Sequence, residues 1–165
     1  MDKHYRFINA IVDIHLSDKN EKVVVEDAGQ QGTKITVRKI NKDGEVKRKL
    51  MEKVYDASIT KEIRLYAAKG DDSIFVNSPN SRIKLRLIGG EGAKYYDVAA
   101  AAASVKVYDL GVSSKIKGQD YTLKQKNDSS HVAFKPVNLY NYWAPVFDFR
   151  YNSDDGIMLG LGVKY

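Results

Sequence analysis

Apolar positions recur every second residue over most of this chain, the spacing of half-buried strands, and 3.6-residue periodicity is hard to find. In Thr33-Lys34-Ile35-Thr36-Val37-Arg38-Lys39-Ile40, Ile35 and Val37 fall in period two between polar neighbours. Asn41-Lys42-Asp43-Gly44 has turn composition, and Val46 to Leu50 alternates again, so a β-hairpin is predicted over residues 33–50. Asn77-Ser78-Pro79-Asn80-Ser81 predicts a turn. Ala99 to Ala103 favour helix locally but are too few to hold one alone, so a tight corner or a single helical turn is expected there.

The most informative pattern is an internal repeat. Residues 64–76 and 86–98 align without a gap at an offset of 22 positions, with the Arg, the Leu, a loop Gly and the final Val coinciding. A weaker copy precedes them. Val12-Asp13-Ile14 answers Ile63-Arg64-Leu65, and Val23-Val24-Val25 answers Ile74-Phe75-Val76. Another follows at Val105-Lys106-Val107 and Ile116. Each unit is a short alternating strand, a Gly/Asp/Lys loop and a second apolar strand. A repeat near 20 residues suits one coil of a parallel β-solenoid, whose apolar face is buried only when coils stack. Two unrelated strand-turn-strand units in an antiparallel sandwich are the alternative.

The C-terminus changes character. Phe147, Phe149 and Tyr151 share one face of 146–151, with Asp148 and Arg150 on the other. After the turn composition of residues 152–156, Ile157, Leu159, Leu161, Val163 and Tyr165 share one face, and Met158, Gly160, Gly162 and Lys164 the other. Apolar-out, small-or-polar-in alternation is the pattern of an outer-membrane β-hairpin, with Phe147, Phe149, Leu159, Leu161 and Val163 as its membrane face. Trp143 and Tyr165 are placed to sit as interfacial aromatics. A soluble amphipathic hairpin packed on the solenoid has the same pattern, and two strands do not close a barrel. The expected class is therefore all-β. Residues 1–140 form a β-solenoid-like connector domain, with repeats near 12–25, 63–76, 83–98 and 105–118, and residues 141–165 form an amphipathic hairpin.

Composition narrows the function. The 165 residues are 43% hydrophobic and 29% charged, a balance that does not indicate disorder, and eleven tyrosines favour strands. There is no cysteine, which removes disulfides and thiolate metal sites. The opening Met1-Asp2-Lys3-His4-Tyr5 shows no charged region followed by an apolar run, so no signal peptide is expected in this stretch, and no apolar run is long enough for a transmembrane helix. The net charge of +6 permits contact with phosphates. Arg38, Lys39, Lys47, Arg48 and Lys49, joined by Lys34 and Lys42, crowd the predicted hairpin. They read either as a solvated face with lysine-protected edges or as a phosphate-binding patch.

Three stretches carry a resemblance: Thr60-Lys61-Glu62-Ile63-Arg64-Leu65-Tyr66, Gly70-Asp71-Asp72, and Ile83-Lys84-Leu85-Arg86-Leu87-Ile88-Gly89-Gly90-Glu91-Gly92. They resemble a connecting segment of large outer-membrane proteins in which a calcineurin-like metallophosphoesterase domain can precede a surface-antigen (BamA-like) barrel. Residues 151–162 are similar to the first barrel hairpin of such proteins. The phosphoesterase's metal-binding clusters have no counterpart here, so the resemblance implies a connector plus one hairpin of a Gram-negative envelope protein and no catalysis. Gly89-Gly90-Glu91-Gly92 also resembles the start of a calcium-binding β-roll repeat. The position that supplies a carboxylate there holds Asp72 in the first unit and Lys94 in the second, and Ala67 and Ala68 replace two glycines. Stacking puts Lys94 within reach of Asp72, where it supplies the positive charge that calcium supplies elsewhere, a pair worth about 0–1 kcal/mol if exposed; the alternative is that both side chains point into water.

Catalytic chemistry is not expected. His4, His15 and His131 lie far apart, and the Asp71-Asp72 and Asp154-Asp155 pairs sit in turn sequences, where Asp is favoured for local hydrogen bonds. Asp71 and Asp72 come nearest to metal ligands, and we expect no metal, no cofactor and no enzymatic site. The leading expectation is a structural connector of the outer membrane or the periplasm-facing envelope. Its partners are then the membrane, the rest of a barrel protein, or a second copy through the C-terminal hairpin. A glycan- or protein-binding solenoid is the main rival. A basic nucleic-acid-binding domain comes third, with no specific nucleic acid expected.

Overall fold

The computed structural model describes residues 2–30, 32–102, 104–111, 113–119, 121–136, 144–154 and 156–164. The protein is mostly β and divides into two compact units, Met1–Phe134 and Lys135–Tyr165. The first unit opens with helix α1 (Asp2–Ile8). Eleven strands follow: β1 (Ile11–His15), β2 (Glu21–Ala28), β3 (Gly32–Ile40), β4 (Val46–Tyr55), β5 (Glu62–Ala67), β6 (Asp72–Ser78), β7 (Lys84–Gly89), β8 (Lys94–Ala101), β9 (Val105–Asp109), β10 (Lys115–Lys117) and β11 (Thr122–Gln125). A 3-10 turn at Ser129–His131 comes after them.

The strands form two sheets, in the orders β1-β5-β7-β9-β11 and β10-β8-β6-β2-β3-β4. From β5 onward, consecutive strands alternate between the sheets, and each pairs in parallel with the strand two places earlier in the chain or, for β5 and β6, with β1 and β2. The repeat appears directly as register. Leu65 lies beside Leu87 and Ile74 beside Tyr96, an offset of 22 in both sheets. The weaker copies also fall into line: Val12 beside Ile63, Val23 beside Ile74, Leu87 beside Val107, and Tyr96 beside Ile116. These segments are parallel, so the antiparallel-sandwich alternative does not hold.

Period-two alternation sends one row of each sheet inward. Ile63, Leu65 and Leu87 of the first sheet and Val23, Ile74 and Tyr96 of the second are fully buried in one apolar cluster. Burying each aliphatic side chain stabilises by about 1.5–3 kcal/mol. The outward rows are polar or half-exposed, which is why these parallel strands alternate instead of reading as continuous apolar runs.

The hairpin predicted at 33–50 is β3–β4, antiparallel, and it extends the second sheet beyond β2. Its turn is held by the Asn41 side chain, whose Oδ1 accepts the N–H groups of Asp43 and Glu45. Register shifts at Val37/Arg38 and Arg38/Ile40 distort the pairing at the tip.

One local expectation is met only in part, and one element gave no signal. Ala99, Ala100 and Ala101 end β8 as strand and not as a helical turn, while a corner follows them, the Val105 N–H donating to the Ala102 carbonyl at 3.3 Å; Ala103 lies outside the described residues. The neighbouring β6 offers backbone partners that a lone helical turn lacks. After a register shift, Asn77 pairs with Ala100 and Ser78 with Ala101. Tertiary pairing thus overrides local propensity. Conversely, α1 spans only seven residues, too few to show a helical apolar stripe in the sequence.

The second unit is a separate antiparallel hairpin, β12 (Ala144–Asn152) and β13 (Gly156–Lys164).

Candidate functional site

Three places in the fold bear on function: the C-terminal hairpin, the stacked glycine loops, and the clusters of basic residues.

In the hairpin, β12 and β13 are nine residues each and pair in unbroken register. Phe147 lies opposite Leu161, Phe149 opposite Leu159, and Tyr151 opposite Ile157. The other face pairs Val146 with Gly162, Asp148 with Gly160, and Arg150 with Met158. Arg150 Nε lies 2.9 Å from Asp148 Oδ2, so the charges on that face are paired. The face carrying Phe147, Phe149, Leu159, Leu161 and Val163 is 61–84% exposed at these positions. Trp143 and Tyr165 lie outside the described residues, as does Asp155 of the turn. Among the described residues no helix is long and apolar enough to cross a membrane.

The loops joining the first sheet to the second stack on one another. The Asp71 N–H donates to Asn20 Oδ1 at 3.0 Å, and the Ala93 N–H donates to Asp71 Oδ1 at 2.8 Å, so each side chain ties its loop to a neighbouring one. Gly92 adopts φ 86°, and a Cβ there would strike the Gly70 carbonyl, which excludes side chains on both counts. Just inside this ladder lies a buried polar cluster. Asp72 Oδ1 accepts the Glu21 N–H at 2.9 Å. Its Oδ2 lies 3.1 Å from Lys94 Nζ, a buried ion pair. Lys94 Nζ also donates to the carbonyls of Gly70 and Glu91. The ammonium thus has two carbonyls and a carboxylate around it, oxygen donors of the kind that hold a hard cation.

Both side chains of the pair are 0% exposed, so the two groups meet and neither points into water. The reason is alternation: Lys94 shares the inward face of β8 with Tyr96 and Val98, and Asp72 shares that of β6 with Ile74. Burial pushes the Asp72 carboxyl up to about 6, against the opposing pull of Lys94 and the Glu21 N–H. Deeper along the same face, Tyr96 OH donates to Asp109 Oδ2 at 2.9 Å, and burial raises its phenol well above the ordinary value. Asp109 is also held by the Ser114 hydroxyl and the Gly111 N–H.

Asp71 and Asp72 are therefore both used within the fold, one capping a neighbouring loop and the other paired with Lys94. Among the described residues no three His, Cys, Asp or Glu side chains gather as a metal site. The histidines are separate. The His15 ring stacks on Tyr66 at 4.8 Å with Phe134 edge-on to both, and His131 Nε2 lies 2.8 Å from the Lys124 carbonyl oxygen.

The cations of the β3–β4 hairpin gather only in part: Arg38 lies beside Lys22 of β2 and Lys49 of β4, while Arg48 points to the face opposite Lys47 and Lys49. Lys47 pairs with Glu45 at 2.5 Å and Lys49 with Glu52 at 2.9 Å. Cations do gather on the outer face of the first sheet, a cluster that sequence reasoning missed. Arg64 and Arg86 are register partners on β5 and β7, and both contact Glu62, at 2.6 and 2.9 Å. The signal was present in the repeat, which aligns one arginine with the other. No protein-family model, curated protein or solved structure matches this chain.

Proposed function

We propose that this chain is a non-catalytic connector of a cell-envelope protein, in which a short parallel β-solenoid leads into the first hairpin of an outer-membrane β-barrel. The observation that carries this reading is the β12–β13 hairpin. Its strands have the nine-residue length that a tilted strand needs to cross a bilayer, and their faces divide into large apolar residues and glycines or paired charges. A wholly apolar sheet face of this kind in water marks a surface built to be covered. Lipid on that face and the small, charged face turned to a barrel interior satisfy both. The stacked strands supply the rest: a rigid spacer with an apolar core, tied loop to loop, whose buried polar groups are engaged in holding the stack together. The resemblance of residues 60–92 and 151–162 to the connector and first hairpin of BamA-like surface-antigen proteins points the same way.

The reading predicts that the chain needs an amphiphile. Size-exclusion chromatography with light scattering should give higher-order species in buffer alone and a single species in a maltoside detergent. A monodisperse monomer without detergent, unchanged when detergent is added, contradicts the membrane assignment.

A further inference from the structure

The outer face of the first sheet holds a second feature that the connector role does not use. Glu62 is buried, its side chain only 10% exposed, and it bridges two guanidinium groups. Arg64 Nε donates to Oε1 at 2.6 Å, while Arg86 engages both carboxylate oxygens, through Nε at 2.9 Å and an Nη at 3.0 Å. The two arginines are thereby fixed before any ligand arrives. Beside them the register places Lys84 two residues from Arg86 on β7, Ser104 opposite Lys84 just before β9, and Lys106 opposite Arg86 on β9. Glu62, Lys84, Arg86, Ser104 and Lys106 line one shallow groove. Neither Lys84 nor Lys106 has a carboxylate partner among the described residues.

We propose that this groove binds a tetrahedral oxyanion, a phosphate or sulfate group. Of the residues lining the groove, three cations, Lys84, Arg86 and Lys106, face a single carboxylate, Glu62, which leaves a formal charge of +2. Asp13, the next carboxylate on this face, lies beyond Arg64 on β1. Adjacent strands are about 4.8 Å apart and alternate residues along one strand about 6.6 Å, so Lys84, Arg86, Lys106 and the Ser104 hydroxyl approach a bound group from different sides. An anion with several oxygens satisfies donors spread over that distance, whereas chloride reaches one or two. A guanidinium anchored by a buried carboxylate loses little side-chain freedom on binding, the advantage of arginine in oxyanion recognition. The β3–β4 hairpin is comparably rich in cations, and Arg38 lies beside Lys22 and Lys49 there, but Lys34, Lys47 and Lys49 each pair with a glutamate.

The test is an NMR titration of the 15N-labelled full chain in maltoside micelles with inorganic phosphate, using potassium chloride at matched ionic strength as control. Saturable shifts are expected at Arg86 Nε and at the amides of Lys84, Ser104 and Lys106, with no saturation in chloride. The exposed double variant Lys84→Ala/Lys106→Ala should bind phosphate at least tenfold more weakly with its spectrum otherwise intact, while Lys47→Ala/Arg48→Ala should bind as the parent does. Glycerol 3-phosphate as a second probe separates the sources: tighter binding than inorganic phosphate indicates a headgroup-borne phosphate, and weaker binding a free anion, the site standing in both cases. Shifts that chloride reproduces, or an affinity that survives the Lys84/Lys106 change and falls with the Lys47/Arg48 change, overturn the proposal.

Discussion

Replacing Lys94 by methionine keeps an unbranched side chain one atom shorter and removes one buried charge. Asp72 then remains in the interior with the Glu21 N–H as its donor and no cation, and the carbonyls of Gly70 and Glu91 lose theirs. Removing one member of a buried ion pair costs about 3–5 kcal/mol, because the partner's desolvation is no longer offset. That is several times the value of an exposed pair. The cost should also depend on pH. Burial holds the folded-state carboxyl of Asp72 at about 6, above its ordinary value of 3.8. A raised carboxyl contributes stability that is fully present below its unfolded value and is lost as pH rises through the folded value. In the parent protein this loss spans roughly pH 4 to 6 and amounts to about 3 kcal/mol. Without Lys94 the carboxyl is pushed higher still, so the loss extends to higher pH. Urea unfolding followed by circular dichroism in detergent should therefore show Lys94→Met destabilised by about 3–5 kcal/mol at pH 8 and by clearly less at pH 5. A loss below about 1 kcal/mol, or the same loss at both pH values, refutes the buried-pair reasoning.

Other outcomes follow from the same geometry. Leu87→Ala, fully buried beside Leu65, should cost about 2–5 kcal/mol in the same unfolding experiment. Gly92→Ala combines a left-handed backbone with a collision against the Gly70 carbonyl and should lower the melting temperature by several degrees, whereas Gly29→Ala, which meets open space, should not. Because the Lys94 ammonium already sits among the loop oxygens, thermal melts in excess calcium and in chelator should coincide; a calcium-dependent rise of many degrees counts against the account.

The parallel stack was legible because register converts equal spacing in the sequence into adjacency in space. The Leu65/Leu87 and Ile74/Tyr96 pairs could be read before any coordinates. The first copy was fainter because the β3–β4 hairpin lies between it and the second, stretching the Val23-to-Ile74 spacing from 22 to 51. The Asp72–Lys94 pairing was legible for the same reason, but its burial was not. A glycine-rich loop suggests solvent, and only carrying the alternation back from Val98 and Tyr96 to Lys94 would have turned the lysine inward. Glu62 offered less warning. A carboxylate two residues before Arg64 reads as an ordinary surface neighbour until the sheet brings Arg86 to its other side. The alanine run misled because local propensity is a weak term once β6 supplies a strand to pair with.

The central claim, that the C-terminal hairpin is a membrane-facing strand pair, has a direct test that the absence of cysteine makes clean. Single cysteines placed at positions 147, 148, 149, 159, 160, 161, 162 and 163 can be spin-labelled one at a time in the full chain reconstituted into lipid vesicles. The labels are then probed with oxygen, which concentrates in lipid, and with a water-soluble nickel chelate. The account predicts a period-two alternation, with high oxygen accessibility at 147, 149, 159, 161 and 163 and low at 148, 160 and 162. Uniform access of the nickel chelate along both strands, or alternation in the opposite phase, contradicts it.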